Sequence, residues 1–183
     1  MLILASQSPR RRELLAREGV RFEVVVRETK EEHDANLPPA VLCARNAAAK
    51  AEAVAAEFPQ DTVVGADTLV FLDGVPLGKP ADEAEAVHML MRLQGRIHSV
   101  CTAVAVILPG GERRDFTETT YVRFRSLSEA QVLHYLSLVH VLDKAGAYAI
   151  QEHGHLLVEK VEGDEDNVIG LPVKRLLQVL AEV

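Results

Sequence analysis

The stretch that decides the fold is residues 62–72, with the sequence TVVGADTLVFL. β-branched and apolar residues dominate it, which predicts a long strand, and the Asp73-Gly74 pair that follows predicts a tight turn. Two further strand-like runs, Ile97 to Leu108 and Arg113 to Phe124, are separated by the turn residues Pro109-Gly110-Gly111. Long strands joined by short turns pair in antiparallel fashion. The pattern therefore disfavours a purely parallel sheet and predicts a mixed one.

Outside this centre, strand and helix patterns alternate, which predicts an α/β layered domain. The other predicted strands are Leu2 to Ala5, Phe22 to Val26 and His155 to Val161. Helices are predicted to begin after Ser8, at Pro38, after Asp82, after Ser128 and at Pro172, and the second of them to end at Phe58. No linker, repeat or low-complexity tract divides the sequence, so residues 1–183 are predicted to form a single domain.

Composition and charge narrow the functional classes. The 183 residues are 48% hydrophobic and 26% charged, with a net charge of −7. These values favour a folded core, and no apolar run approaches the roughly 20 residues of a membrane span. The apolar start Met1 to Ala5 is short and lacks a preceding positive region, which predicts a strand and a cytoplasmic protein. The acidic total argues against general nucleic-acid binding, although the adjacent Arg10, Arg11 and Arg12 could form a local anion site.

The first chemical motif runs from Ala5 to Leu15, with the sequence ASQSPRRRELL, where a strand is predicted to turn into a helix. A helix N-terminus offers free backbone N–H groups and the positive end of the helix dipole. The hydroxyls of Ser6 and Ser8 and the neighbouring guanidinium groups would suit a polyphosphate. An ordinary capped helix with a solvated basic turn explains the same residues, so both interpretations stay open. The sequence contains no G-x-x-x-x-G-K-[ST] phosphate-binding loop.

The second motif is the carboxylate of Asp67 inside the apolar 62–72 stretch. A carboxylate there must face a cleft, pair with a cation, bind a metal or belong to a buried structural network. Gly65 and Ala66 are expected to leave room for the close approach of a ligand. Lys79 lies beyond the predicted Asp73-Gly74 turn, and a hairpin could return it towards this strand, where it could hold a phosphate.

Two later segments complete the motifs. Residues 143–151, DKAGAYAIQ, are expected to include a strand and end on the uncharged amide of Gln151, which could recognise the edge of a base. The segment from Glu162 to Pro172 is predicted to be a loop before the last helix. His153 and His155 alternate on a predicted strand and could mimic a metal pair, but no third ligand stands at a useful spacing.

Taken in order, these segments resemble the Maf family of nucleotide pyrophosphatases. The matching segments are Ala5 to Leu15, Gly65 to Thr68, Gly78 to Pro80, the set Gly95, His98, Val100 and Thr102, Asp143 to Gln151, and Asn167 to Pro172. Each segment is common alone, but six in this order are specific. We expect His98 to be a structural hydrogen-bonding residue, and Cys43 and Cys101 to be buried reduced thiols.

The resemblance implies an elongated α/β fold similar to that of the inosine-triphosphate pyrophosphatases, with a mixed sheet spanning two lobes around a cleft. It implies hydrolysis of nucleoside triphosphates to monophosphate and pyrophosphate with Mg²⁺ or Mn²⁺. Asp67 matches the general base, and Glu31 and Asp67 the metal ligands, although Glu32 is adjacent to Glu31. The positions linked to substrate choice are Arg11, Thr68 and Gln151, and those expected to bind phosphate are Ser6, Ser8, Arg10, Lys50 and Lys79.

The pattern ending at Gln151 is similar to the branch that hydrolyses dTTP and UTP, which makes these and modified pyrimidine nucleotides the expected substrates. Glu152 stands where the family usually has Gly, and Glu165 where it often has Tyr; Glu152 is expected to add negative charge near the pocket for the nucleobase. A 7-methyl-GTP or broad-range pyrophosphatase therefore stays an alternative, as does a nucleotide-binding regulator of cell division. The family also suggests a homodimer, and no nucleic-acid or membrane partner is expected.

Overall fold

A computed structural model describes residues 1–183. The strands are β1 (Leu2–Leu4), β2 (Glu23–Val24), β3 (Thr62–Leu72), β4 (Val75–Leu77), β5 (Ile97–Ile107), β6 (Arg113–Phe124) and β7 (Val158–Glu162). The helices are α1 (Pro9–Arg17), α2 (Pro39–Ala55), α3 (Glu83–Leu93), α4 (Glu129–Leu138), α5 (Glu165–Ile169) and α6 (Val173–Ala181). None of these helices has both the length and the apolar character needed to cross a membrane.

The sheet is mixed, as the sequence predicts. β1 runs parallel to β2 and β3, whereas β3, β5, β6 and β7 pair antiparallel in that order, with β4 beside β3. The β3–β5 register sets Asp67 opposite Ala103 and Thr68 opposite Thr102. Asp73 (φ 51°) and Gly74 (φ 76°) both adopt left-handed backbone conformations, which is the geometry of a two-residue hairpin turn. This turn sends β4 back along β3.

Three helices begin where capping residues predict them. The side chains of Ser8, Asp82 and Ser128 each accept a hydrogen bond from a backbone N–H in the first turn of α1, α3 and α4. In α4 the side chain of Gln131 bonds back to the cap and completes a capping box. These bonds satisfy donors that a helix end otherwise leaves unpaired. The cap at Ser8 also fixes how the chain turns from β1 into α1.

Buried apolar side chains form three clusters. The cluster between the sheet and α2 includes Leu42, Ala47, Val63 and Ala103. The cluster on the opposite face, below α1 and α6, includes Leu15, Val64, Val104 and Leu176. The cluster below α3 and α4 includes Leu72, Leu90, Phe124 and Tyr135. β3 contributes to all three clusters, with Val63 and Phe71 in the first, Val64 in the second and Leu72 in the third.

Some predicted boundaries are wrong. α2 ends at Ala55 instead of Phe58, because the N–H groups of Glu57 and Phe58 bond to carbonyls only three residues back and the helix tightens into a turn. The strand predicted from His155 to Val161 begins later, since a 3₁₀ turn occupies Gly154–Leu156. The shift follows from His153, whose left-handed backbone (φ 53°) interrupts an extended chain.

Two other segments differ from the prediction: one contains an additional helix, and the other lacks the expected strand. The expected loop before the last helix contains the short helix α5, which Asp164 caps by accepting a bond from the N–H of Asp166. Residues 143–151 contain no strand. Gly146 (φ 73°) instead forms a 3₁₀ turn that packs against β3, where an added Cβ would lie 3.0 Å from Val70. The Gly146 N–H donates to the carbonyl of Gly78 (3.1 Å), so contacts with β3 and β4 decide this conformation.

Candidate active site

The predicted site residues divide between the two faces of β3. Successive side chains on a strand point to opposite faces, so the adjacent Asp67 and Thr68 serve different surroundings. Asp67 faces α2, where it meets Asn46 and Lys50. Thr68 faces α1 and α5, where it meets Arg11. We call these the acidic face and the basic face.

Gly65 determines how closely α2 approaches the acidic face. A Cβ at this position would lie 2.5 Å from the carbonyl oxygen of Ala47 and 2.7 Å from the nitrogen of Ala51, both in the α2 backbone. Only glycine permits this contact. The expectation that Gly65 and Ala66 leave room for a ligand is therefore wrong: the helix occupies the space beside Gly65, and Ala66 is buried in the core.

The close packing of α2 creates the environment of Asp67, which is only 6% exposed. The Lys50 ammonium donates to Asp67 Oδ1 at 2.8 Å, and the Asn46 amide donates to Asp67 Oδ2 at 3.3 Å. Lys50 also pairs with Glu31 Oε1 at 2.9 Å. A single ammonium group therefore lies between two carboxylates.

The electrostatics keep Glu31 ionised. Burial alone raises the pKa of its carboxyl group, but the hydrogen bond from Lys50 and the charges of Lys50 and Lys79 outweigh burial and lower the pKa below its ordinary value. The neighbouring Glu32 is placed differently. Its side chain pairs with Arg45 at 3.2 Å, while its backbone exchanges hydrogen bonds with the Asn46 amide. The structure thus brings Glu31, and not the Glu32 side chain, to the site.

Sequence reasoning missed Asn46. It is buried in α2, where it holds both Asp67 and the backbone of Glu32. The signal available was its spacing from Lys50, because residues four apart share one face of a helix. An amide and an ammonium at this spacing, in a helix otherwise rich in alanine, indicate a polar site on the face that meets the sheet.

Arg11 is the centre of the basic face and is only 8% exposed. Its Nε donates to the carbonyl of Gly170 at 2.7 Å, Nη1 to Ser6 Oγ at 3.1 Å and Nη2 to Thr68 Oγ1 at 2.9 Å. Burial lowers the pKa of Arg11, although the charge of Asp67 opposes this. All three partners are neutral, so the buried guanidinium has no paired carboxylate. A buried cation of this kind is a strong indication of an anion-binding site.

The other residues predicted to bind phosphate lie in three different settings. Ser8 caps α1, and its own N–H donates to Ser6 Oγ at 3.2 Å. Arg10 is half-buried, with Nη1 4.0 Å from a carboxylate oxygen of Asp143. This contact brings the first motif to the start of the 143–151 segment. Lys79 is exposed and follows β4, whose antiparallel register with β3 returns it towards Thr68, as the hairpin predicts.

Comparison with known proteins decides the family. The family described as "Maf-like protein" matches residues 1–183. The chain belongs to the Maf family. A relative from Akkermansia muciniphila, named dTTP/UTP pyrophosphatase, is 57% identical over 179 residues, covering 98% of this chain and 94% of the relative. Another from Bacillus velezensis, with the same name, is 47% identical over 181 residues, covering 99% and 95%.

A solved structure confirms the predicted fold class. The Ham1 protein of Staphylococcus aureus matches with a TM-score of 0.54 at 18% identity, covering 99% of this chain and 97% of that one. At this identity the likeness concerns the fold alone. It agrees with the mixed sheet and α/β layers described above.

In this Maf protein, the Gln151 side chain forms no hydrogen bond with the residues of the acidic or the basic face of β3. This side chain is exposed and forms no hydrogen bond with another protein group. The unusual Glu152 beside it pairs with Lys144 at 3.5 Å. Lys144 is buried and also contacts the carboxylate of Asp143 at 3.0 Å. The extra charge expected at Glu152 is therefore partly offset by a buried ammonium group.

The histidines of this Maf protein divide into buried and exposed types. His98 shares a 2.7 Å hydrogen bond with the hydroxyl of Tyr148, and burial lowers its pKa to about 4. It is neutral at pH 7, which agrees with the expected structural role. His153 and His155 do not alternate on a strand, because the first is left-handed and the second lies in a 3₁₀ turn. The strand geometry that suggested a metal pair is therefore wrong.

Proposed function

We propose that this chain, a nucleoside triphosphate pyrophosphatase of the Maf family, acts on dTTP and UTP with Asp67 as general base and a divalent metal. The observation that carries the proposal is the close placement of a carboxylate pair and a guanidinium without a counter-ion on opposite faces of one strand. The names of the relatives at 57% and 47% identity support the choice of nucleotides.

The reaction breaks the bond between the α- and β-phosphates. Pyrophosphate is a good leaving group, so the barrier is mainly electrostatic and depends on positioning water and offsetting phosphate charge. Asp67 is suited to hold the water and to take its proton on a carboxylate oxygen while the water attacks the α-phosphorus. Asn46 and Lys50 fix the orientation of that carboxylate, and Lys50 can also reach for phosphate oxygens because it is only half-buried.

The phosphates would lie against the start of α1. Arg10 would supply positive charge there and Lys79 would supply it from the end of β4, while the hydroxyls of Ser6 and Ser8 would supply hydrogen-bonding groups. The first-turn N–H groups of the helix favour negative charge as well. Arg11 has donors left over after its three protein contacts, and these suit a phosphate or a carbonyl oxygen of the base. Together these groups would bind the triphosphate and stabilise the departing pyrophosphate.

The residues present fit a divalent metal. Glu31 and Asp67 place two carboxylates on either side of one ammonium group, at 2.9 and 2.8 Å, a position suited to a cation. Mg²⁺ is commonly held by one or two carboxylates together with substrate phosphates. No group of three or more His, Cys, Asp or Glu side chains could complete a site without the substrate. When bound, the metal would offset phosphate charge and polarise the phosphoryl oxygen.

In this proposal, selection of the nucleobase depends on Arg11, Thr68 and Gln151. The Gln151 amide offers both a donor and an acceptor, which suits the edge of a pyrimidine. Because its side chain has no protein partner, it is free to bind a ligand. The homodimer and the cytoplasmic location stay predictions from the sequence.

The test is an assay with Mg²⁺ or Mn²⁺ and a panel of dTTP, UTP, CTP, GTP, ATP and 7-methyl-GTP, with products separated by chromatography. Monophosphate plus pyrophosphate, formed fastest from dTTP and UTP, is the expected result. The Gln151→Ala variant should raise KM for these two nucleotides more than for the others. Preference for 7-methyl-GTP would contradict the proposed preference for pyrimidine nucleotides. Binding of nucleotide without hydrolysis would contradict the proposed enzymatic activity and support a nucleotide-binding regulator.

A further inference from the structure

Two segments of the resemblance, the one ending at Thr102 and the one beginning at Asn167, meet behind the basic face. Thr102 lies in β5 directly opposite Thr68, and its side chain is completely buried. Its Oγ1 is 2.8 Å from Thr68 Oγ1 and 3.1 Å from the backbone oxygen of Asn167. Neither residue touches the outside of the protein, so neither can contact substrate directly.

The direction of these hydrogen bonds follows from counting protons. A threonine hydroxyl has one proton to donate, and a carbonyl oxygen can only accept. Thr102 donates to the Asn167 carbonyl and, with its one proton used there, accepts from Thr68. The alternative acceptor for Thr68, the carbonyl of Gly170, is farther away at 3.3 Å. With its proton committed to Thr102, Thr68 presents only lone pairs towards the Nη2 of Arg11.

Asn167 fixes the second contact of Arg11. Its side-chain amide is fully buried, and Nδ2 lies within hydrogen-bonding distance of three acceptors in β5 and β6: Val100 O (3.1 Å), Glu118 O (3.2 Å) and Thr120 Oγ1 (3.1 Å). Its Oδ1 has no partner, so the donors alone fix the side chain. Anchoring α5 in this way also fixes Gly170 at the end of the helix. The Gly170 carbonyl accepts from Arg11 Nε at 2.7 Å.

Two of the three protein contacts of Arg11 thus depend on Thr102 and Asn167. A guanidinium has five N–H groups, of which three are used by Gly170, Ser6 and Thr68. One N–H on each Nη remains, and each can donate to an anionic or carbonyl oxygen. We propose that Thr102 and Asn167 are positioning residues that orient the remaining Arg11 donors towards substrate through ordered hydrogen bonds. This inference rests on the proposed function for the identity of the substrate.

The test compares Thr102→Val, which keeps the shape but removes the hydroxyl, with Thr102→Ser, which keeps the hydroxyl. Loss of one hydrogen bond in the support of a binding group is expected to raise KM for dTTP about five- to tenfold. The value of kcat should stay within about twofold, because ground-state and transition-state binding weaken together. Thr102→Ser should restore KM. Thr117→Val is the matched control, since Thr117 lies in β6 and its hydroxyl forms no hydrogen bond with another side chain or with the backbone.

A second readout does not require turnover. The Nε–H of Arg11 should give a slowly exchanging NMR signal, assigned by its loss in Arg11→Lys, because it donates to a buried carbonyl. We expect about tenfold faster exchange in Thr102→Val and wild-type exchange in Thr102→Ser. Thr68→Val, which removes the other hydroxyl of the pair at a less buried position, should give the same faster exchange if Thr102→Val does not fold.

Two results would overturn the inference: wild-type KM and exchange in Thr102→Val, or a Thr102→Ser variant as impaired as Thr102→Val. The second would mean that packing, and not the hydroxyl, is what matters. If the wild-type protein hydrolyses no nucleotide, the proposed function fails. The exchange measurement still decides whether Thr102 orients Arg11.

Discussion

The two faces of β3 stabilise their charged groups in opposite ways. On the acidic face, Asp67 and Glu31 share Lys50, so two negative groups and one positive group satisfy one another within 3 Å. On the basic face, Arg11 is buried among neutral acceptors alone. The first arrangement would hold the proposed base in place before substrate arrives, whereas the second leaves the positive charge of Arg11 without a paired carboxylate. Binding and proton transfer can therefore be disturbed separately.

The largest expected effect comes from removing the charge at the acidic face. Asp67→Asn keeps the shape of the side chain but cannot take a proton from water. We expect kcat to fall by about 10²–10⁴-fold or more, the usual contribution of a general base. The measurement is steady-state hydrolysis of dTTP alongside a thermal unfolding curve.

The control for this variant is Glu32→Gln. Glu32 is the adjacent acid, but its side chain pairs with Arg45 away from Asp67. Near-normal turnover is expected. A nearly normal kcat in Asp67→Asn would exclude Asp67 from the proton transfer. The acidic face would then have no separate catalytic role.

The next effect concerns the basic face. Arg11→Lys keeps a positive charge, but a single ammonium cannot reproduce the planar fork that reaches Gly170, Ser6 and Thr68 together. We expect kcat/KM to fall about 10- to 100-fold, mostly through KM, in line with the loss of charge-assisted hydrogen bonds. Arg12→Lys, at the exposed neighbouring position, should behave as wild type. A fall confined to kcat would mean that Arg11 acts only in the transition state.

A change at Gly65 should damage the acidic face through packing. In Gly65→Ala the new methyl group would contact the α2 backbone at 2.5 Å, so the helix must shift and carry Asn46 and Lys50 away from Asp67. We expect a loss of about 1–3 kcal/mol in the free energy of unfolding, typical of overpacking, and a lower kcat. Urea denaturation measures the first.

Gly78→Ala provides the comparison, because a Cβ there meets nothing within 4 Å and the backbone is not left-handed. Its stability should match that of wild type. Equal stability of both variants would show that α2 does not depend on close contact with Gly65. The Arg11 Nε–H exchange should be unchanged in both, since the basic face lies on the other side of the strand.

The smallest effect is the pH dependence of Glu31. Its pKa is lower in the folded protein than its ordinary value of 4.5, so its ion pair contributes stability above that value. The contribution is lost as pH falls through the folded pKa. The difference in unfolding free energy between wild type and Glu31→Gln should therefore be present at pH 7 and shrink at pH values below 4.5. A difference that does not change with pH would mean that Lys50 does not stabilise the ionised form.

Asp67 is predictable from the sequence because a carboxylate in an apolar strand breaks a local rule. A carboxylate inside an apolar strand is visible without a structure, and so are the caps at Ser8, Asp82 and Ser128. The mixed character of the sheet follows from its three long strands and their turns. These features depend on residues that are close in sequence.

The remaining features depend on tertiary packing. The choice of Glu31 over Glu32, the contact of Asn46 with Asp67 and the role of Gly65 all follow from where α2 lies on the sheet. The turn at Gly146 depends on contacts with β3 and β4, which local propensity does not encode. No local pattern showed that Thr102 and Asn167 support Arg11, because their contacts join residues 34 to 67 positions apart.

The continuity of β3 has a consequence for the entropy of binding. β3 and β5 each extend over 11 residues and pair from Val63 to Phe71, so backbone hydrogen bonds run without interruption past the Asp67-Thr68 pair. Neither half of the site can move away from the other unless that ladder opens. The conformational entropy of assembling the site is therefore lost when the protein folds, and little remains to be lost when a nucleotide binds.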